Sequence, residues 1–204
     1  MKNTTFAARG ILGLANVFSR DRSFSDAQFP GLEDILPISE RFFAGGSTTL
    51  RGFDYEGAGP RIAVLPQGIF RNSKGEVVTV NPFTIPFGGN ALAIINLEAR
   101  IPVSDSLRLV PFYDGGNVFK SVGDIFKSPA AVDANDTFRQ NLNARWTNTV
   151  GLGFRIKTPV GGEFAIDGAY LLNPPKFLIP QQFSPNSTFR LKQERIHFRF
   201  TQAF

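Results

Sequence analysis

The sequence predicts an all-β chain, an antiparallel transmembrane β-barrel, and three observations carry that prediction. Segments of about ten residues alternate apolar with polar side chains, the period of a strand. In each, one face is apolar and the other carries charge, while the connections between them run long, short, long, short, long. Outer-membrane barrels have this plan, with lipid outside, a polar lumen inside, short periplasmic turns and long extracellular loops. A water-soluble sandwich also alternates, but its polar face is the outer one and its loops do not sort by length in this way.

The first strand is expected between Thr4 and Phe18, where Phe6, Ala8, Leu12, Leu14 and Phe18 share one parity and Thr5 and Arg9 the other. Met1 to Phe18 resembles a leader only faintly, because Arg9 interrupts its apolar run. A long connection over 20–87 follows, in which 62–70 and 76–80 read as short strands about an Asn72-Ser73-Lys74-Gly75 turn. Pro66, Pro82 and Pro86 keep these pieces out of a central sheet. From Asn90 to Ile101, Ala91, Ala93, Ile95, Leu97, Ala99 and Ile101 face one way and Asn96, Glu98 and Arg100 the other. After a short turn, 107–119 sets Leu107, Leu109 and Tyr113 against Arg108 and Asp114.

A polar loop over 120–143 leads to the strand 146–157, where Trp146, Val150, Leu152, Phe154 and Ile156 oppose Thr147, Thr149, Arg155 and Lys157. In 162–172, Phe164, Ile166, Tyr170 and Leu172 oppose Glu163 and Asp167. A hairpin centred on Val160 would put Lys157 across from Glu163 as an ion pair. A proline-rich loop over 173–186 precedes the last strand, where Ile196, Phe198, Phe200 and Phe204 oppose Arg195, His197, Arg199 and Thr201.

Composition narrows the functional classes. With 22 Phe, three Tyr and one Trp among 204 residues, aromatics are spent on surfaces as well as core. There is no cysteine, which excludes a disulfide framework and thiolate metal sites, and His197 is the single histidine, so no cofactor or metal is expected. The net charge of +5 would suit a nucleic acid, but Lys and Arg are scattered rather than gathered in a stripe, so no nucleic-acid partner is expected. No apolar run is long enough for a membrane helix, whereas a closed barrel remains open to this chain. The glycine pairs lack a P-loop arrangement, and Glu98 with Asp114 reads as an ion-pair site rather than an acid/base pair, so the chain is not expected to be an enzyme.

The stretch from Glu40 to Arg61, ERFFAGGSTTLRGFDYEGAGPR, is the least strand-like and the most specific. Gly45 and Gly46 permit positive φ, and Leu50, Arg51, Gly52 and Phe53 set one cation between two apolar anchors, with Gly52 allowing the turn to pack flat. A solvated glycine-rich surface loop is the plain alternative.

Five pieces in order carry a resemblance: RFFAGGSTTLRGF with GPR after it, GGNALAIINLEARIP, PFYDGGNVF, GLGFRIKTPVGGEFAIDGAYLLN and the terminal FRFTQAF. The sequence resembles the C-terminal barrel portion of the Omp85 superfamily, the outer-membrane assembly and translocation barrels of the BamA, TamA and surface antigen D15 type. The departures are Leu50 where valine is common and Thr201 where glycine is common. The resemblance implies six C-terminal strands of a sixteen-stranded barrel, spanning 1–204, with the 20–87 connection folded into the lumen and no POTRA domain in the chain. Six strands cannot close alone, so a C-terminal fragment or a short member of the family is expected.

It further implies that Arg51, Gly52 and Phe53 form the tip of the lumen loop, that Arg51 pairs with Glu98 and Asp114, and that Phe198, Phe200 and Phe204 form a C-terminal assembly signal. If the hairpin turns near Ser104 or Asp105, Asp114 lies roughly two to four residues above the partner of Glu98, or ~7 to 14 Å. Implied partners are membrane lipid, client outer-membrane or secreted polypeptides, and the upstream strands and POTRA domains of a parent protein. The implied function is insertion or translocation of polypeptides at the bacterial outer membrane, with a passive pore or structural barrel as the alternative.

Overall fold

A computed structural model of the chain describes residues 3–16, 35–64, 70–78, 82–126, 141–159, 161–179 and 187–202. Twelve strands lie among them: β1 (Thr5–Leu14), β2 (Arg61–Val64), β3 (Phe70–Arg71), β4 (Val77–Val78), β5 (Phe83–Pro86), β6 (Ala91–Pro102), β7 (Leu107–Phe119), β8 (Thr147–Lys157), β9 (Gly162–Leu171), β10 (Lys176–Ile179), β11 (Ser187–Arg190) and β12 (Glu194–Gln202). Among the described residues, helix occurs only as 3-10 turns at Ile38–Glu40 and Val122–Asp124 and at residues 141–142. Phe18, Phe204, Val160 and the segments 20–34, 127–140 and 180–186 lie outside the described residues.

Six long strands form one antiparallel sheet in the order β1-β6-β7-β8-β9-β12. Chain neighbours joined by short turns, β6–β7 and β8–β9, pair as hairpins, and the long connections return the chain to the next strand. The sheet is open, with β1 and β12 at its edges. The parities follow the sequence. Phe6, Leu12 and Leu14 of β1, Ile95 and Leu97 of β6, Leu152 and Phe154 of β8, and Ile196, Phe198 and Phe200 of β12 all lie exposed on one face. Such a contiguous apolar surface on a strand face belongs against a non-aqueous medium or another surface. The opposite face holds Asn96, Asp114, Thr149, Arg155 and Asp167, all buried.

Three expectations need correction. Ala91 and Ala93 share parity with the exposed apolar residues, yet they are buried with Phe119 beneath Ile125, Ala144 and Trp146, because the long-loop end of that face is covered by its own connections. Lys157 faces Glu163 in register as expected, but the carboxylate of Glu163 pairs with Arg108 at 3.7 Å. The third concerns the long connections. Within 20–87, the short strands expected over 62–70 and 76–80 are present as β2, β3 and β4, with β3 and β4 paired about the expected turn, but β2 pairs with β5, which was not expected, and the proline-rich 173–186 segment read as a loop opens into the β10–β11 hairpin. Strands of four residues such as β5, β10 and β11 are too short to register as alternation in the sequence. In the β3–β4 turn, Asn72 Oδ1 accepts from the amides of Lys74 and Glu76, the local side-chain geometry that makes asparagine a turn former.

The inner face is not uniformly polar. Towards the long-loop end Leu92, Ile94, Val118 and Leu171 are buried against Ala44, Leu50, Phe53 and Ala58 of the connection between β1 and β2. The larger of the two buried apolar clusters therefore lies between the sheet and this one loop.

Candidate functional site

The loop that fills the inner face closes on itself at its neck. Ala58 N donates to Ala44 O at 2.9 Å, Gly46 N to Phe53 O at 3.1 Å and Gly45 N to Thr49 Oγ1 at 2.8 Å. Residues 44–58 thus form a compact loop with adjoining ends, satisfying its own backbone as an Ω-loop does. Gly45 (φ 125°) and Gly46 (φ 91°) take conformations that a side chain would strain. Below the neck, Arg41 donates to Leu36 O (2.6 Å) and Phe87 O (3.0 Å) and stacks over the Phe87 ring at 4.0 Å.

At the tip, Leu50 and Phe53 are fully buried in the apolar layer and Arg51 points between them onto the sheet. Burying two such side chains favours docking by about 1.5–3 kcal/mol each. Gly52 is required by close approach: a Cβ there would collide with Thr149 Oγ1 and lie 3.2 Å from Leu171 Cδ1. The flat turn expected of Gly52 thus has a specific cause, the wall of β8 and β9 directly behind it.

The structure brings Arg51 onto both carboxylates. Nε donates to Asp114 Oδ2 at 2.7 Å, Nη2 to Asp114 Oδ1 at 2.6 Å and Nη1 to Glu98 Oε1 at 2.8 Å, while the Arg51 backbone N–H donates to Asp114 Oδ2 at 3.1 Å. The guanidinium also lies 3.5 Å above the Phe112 ring. The register explains the reach. Phe112 is the direct partner of Glu98, so Asp114 sits two residues further along β7 and the aromatic ring fills the step between the acids. That is the short end of the spacing expected from the hairpin. Burial alone would lower the Arg51 pKa, but the hydrogen bond and charge of Asp114, then the charges of Glu98 and Asp167, outweigh it and raise it.

Other members of the constellation were not singled out in the sequence. Arg155 of β8 forks onto Asp167 of β9 at 2.7 and 3.1 Å and lies 3.9 Å from Glu98, while Asp167 is 4.0 Å from Arg51. Asn96 Nδ2 bridges Asp114 Oδ1 and Thr49 O, both at 2.7 Å. Arg9 of β1 donates to Asn96 Oδ1 (2.7 Å) and to Thr48 O. From β12, Arg199 donates to Ser47 O at 3.1 Å and His197 Nε2 contacts Arg51 O at 2.8 Å. Arg195 reaches Asp54 through Nη2 at 3.0 Å, with its Nε 2.7 Å from the other carboxylate oxygen but off the hydrogen-bond axis. His197, which has no partner nearby in sequence, is thus a loop contact. The signal was present for most of these residues, since all lie on the polar parity. Phe112 carried a subtler one, an aromatic on the same parity as Arg108 and Asp114.

The chemistry this arrangement supports is fixation. Three buried or half-buried carboxylates enclose two guanidiniums, each planar fork matched to a carboxylate, and hydrogen bonds run from one loop to four strands of the sheet, β1, β6, β7 and β12. Among the described residues no group of three or more His, Asp or Glu is placed to hold a metal ion. Of the expected C-terminal signal, Phe198 and Phe200 lie exposed on the outer face of β12, and Phe204 lies outside the described residues. Compared with known protein families, residues 1–204 match the family model described as the Omp85 superfamily domain.

Proposed function

Because the chain belongs to the Omp85 superfamily, whose members are outer-membrane or organellar proteins that insert or translocate polypeptides and are generally not enzymes, we propose that it forms the C-terminal six strands of a larger insertion or translocation barrel. In this reading the exposed apolar face meets lipid, the short turns face the periplasm and the 44–58 loop braces the lumen wall through Arg51. Upstream strands complete the barrel on the free edges of β1 and β12, and POTRA domains precede it. The BamA- and TamA-like assembly role is the finer form of the proposal, with client strands templated on an edge strand, since an unpaired ladder in lipid has no water to compete for its donors and acceptors.

The observation that carries the reading is the Arg51 site. A loop fixed through a buried guanidinium to neighbouring strands gives the wall a rigid brace, and the wall needs one if a seam elsewhere is to open without loss of the barrel. The test is client insertion into proteoliposomes by the protein at its natural full length. Acceleration of folding of an unfolded outer-membrane client, lost in Arg51→Ala, is the expected result. Ion conductance with no effect on any client would instead make it a passive pore.

A further inference from the structure

Two cavities lie beneath the loop at the short-turn end of the inner face, and they share Thr48 and Arg199. One, of about 400 Å³, lies between the loop, β1 and β6 and is bordered by Arg9, Asn96 and Arg100. The other, of about 640 Å³, lies between the loop, the β8–β9 hairpin and β12 and is bordered by Lys157, Glu163 and Thr201. We propose that together they form a docking trough for an extended acidic segment of polypeptide, engaged through Arg9, Lys157 and Arg199. The partner's identity as a polypeptide rests on the insertion or translocation reading above; the charge chemistry does not.

The argument is one of uncompensated charge. The two carboxylates in the trough are already committed, Glu98 to Arg51 at 2.8 Å and Arg100 at 3.0 Å, and Glu163 to Arg108 at 3.7 Å. Arg9 and Arg199 spend their hydrogen bonds on neutral acceptors, Asn96 Oδ1 with Thr48 O and Ser47 O respectively. Lys157 is exposed, and among the described residues no carboxylate is within ion-pair distance of Lys157, Arg9 or Arg199. With its two carboxylates paired, the trough keeps an excess of positive charge, and a cleft with such an excess over low-dielectric walls concentrates the opposite sign. The cations are spread from β1 to β12 rather than clustered, which suits carboxylates spaced along an extended chain better than a single phosphate. The trough also lies on the face opposite the apolar surface, where an acyl chain would have to lie, so a lipid headgroup is the poorer fit.

The test is anisotropy of an unstructured Asp-rich peptide carrying a neutral dye, titrated with the full-length protein in neutral detergent, against the same peptide with Lys in place of Asp. The acidic peptide should bind, its affinity should fall as salt is raised, and the Lys peptide should not bind. Arg199→Gln combined with Lys157→Gln should weaken acidic-peptide binding by about three- to tenfold, as expected for two partly exposed charge contacts. Equal binding of the two peptides, an unchanged affinity in the double variant, or displacement of the peptide by micelles doped with anionic phospholipid would overturn the proposal. Client insertion measured on the same preparations separates the two readings. A protein that inserts clients without discriminating the peptides loses only the trough. One that discriminates the peptides without acting on any client retains the trough and loses the assembly function.

Discussion

Replacing Arg51 by alanine removes one side chain and disturbs two acids. Asp114 is fully buried and would lose two of its donors, at 2.7 and 2.6 Å, and Glu98 would lose one at 2.8 Å. Breaking a buried pair from one side costs ~3 to 5 kcal/mol, because the remaining charge stays in place without its partner. Here Asp114 keeps the residue 51 amide and Asn96 Nδ2, and Arg100 and Arg155 still face Glu98, which puts the expected cost near the lower figure. A cost of ~3 kcal/mol raises the undocked population of the loop by roughly a hundredfold, at 1.4 kcal/mol per factor of ten. Hydrogen exchange of the 44–58 segment in the full-length protein reads this directly, since the amides of Phe53, Gly57 and Ala58 are bonded only while the loop keeps its shape. Those amides should exchange about two orders of magnitude faster in Arg51→Ala, with protease sensitivity rising in parallel. Arg51→Lys should recover part, because an ammonium supplies charge but not the fork. Adding Asp114→Asn and Glu98→Gln to Arg51→Ala should also recover part, by removing the stranded charges. Exchange in Arg51→Ala indistinguishable from the parent, or no recovery on neutralising the acids, would refute the reasoning.

Gly52→Ala places a methyl group against Thr149 and should loosen the docked loop by about 1–3 kcal/mol, with Thr149→Ala as a second change restoring part of the protection measured by exchange. His197→Ala removes one contact to the Arg51 carbonyl and should cost only about 0.5–1.5 kcal/mol, seen as a modest rise in loop exchange and far smaller than that of Arg51→Ala. The 204-residue chain expressed alone should aggregate in detergent rather than run as a heat-modifiable monomer, because β1 and β12 each present an unpaired edge. In the full-length protein, deletion of Phe204 should lower membrane insertion in cells more than Gln202→Ala does, and equal insertion would reduce the aromatic stripe to lipid contact.

Alternation determined the sheet. A period of two over β6, β8, β9 and β12 assigns each side chain to a face, and the lengths of the connections assign neighbours, so the strands and their outward residues were legible before any coordinates. For the Arg51–Gly52–Phe53 stretch the sequence offered glycines that permit positive φ and a cation between two apolar anchors, which a solvated surface loop would also fit; its docking on the inner face of the sheet is a property of the tertiary structure. Stagger between strands was bounded by the sequence only loosely, to roughly two to four residues between Asp114 and the partner of Glu98, and the structure fixes it at two. That Phe112, and not Asp114, faces Glu98 follows from the β6–β7 register, and only this register lets one guanidinium span both acids over an aromatic ring. Arg155 meets Asp167 across a hairpin, and His197 reaches Arg51 from 146 residues away, contacts set by how the sheet brings its inner face around the loop. The burial of Ala91 and Ala93 was hidden for the same reason, since parity states which way a residue points and only the tertiary fold decides what lies there to meet it.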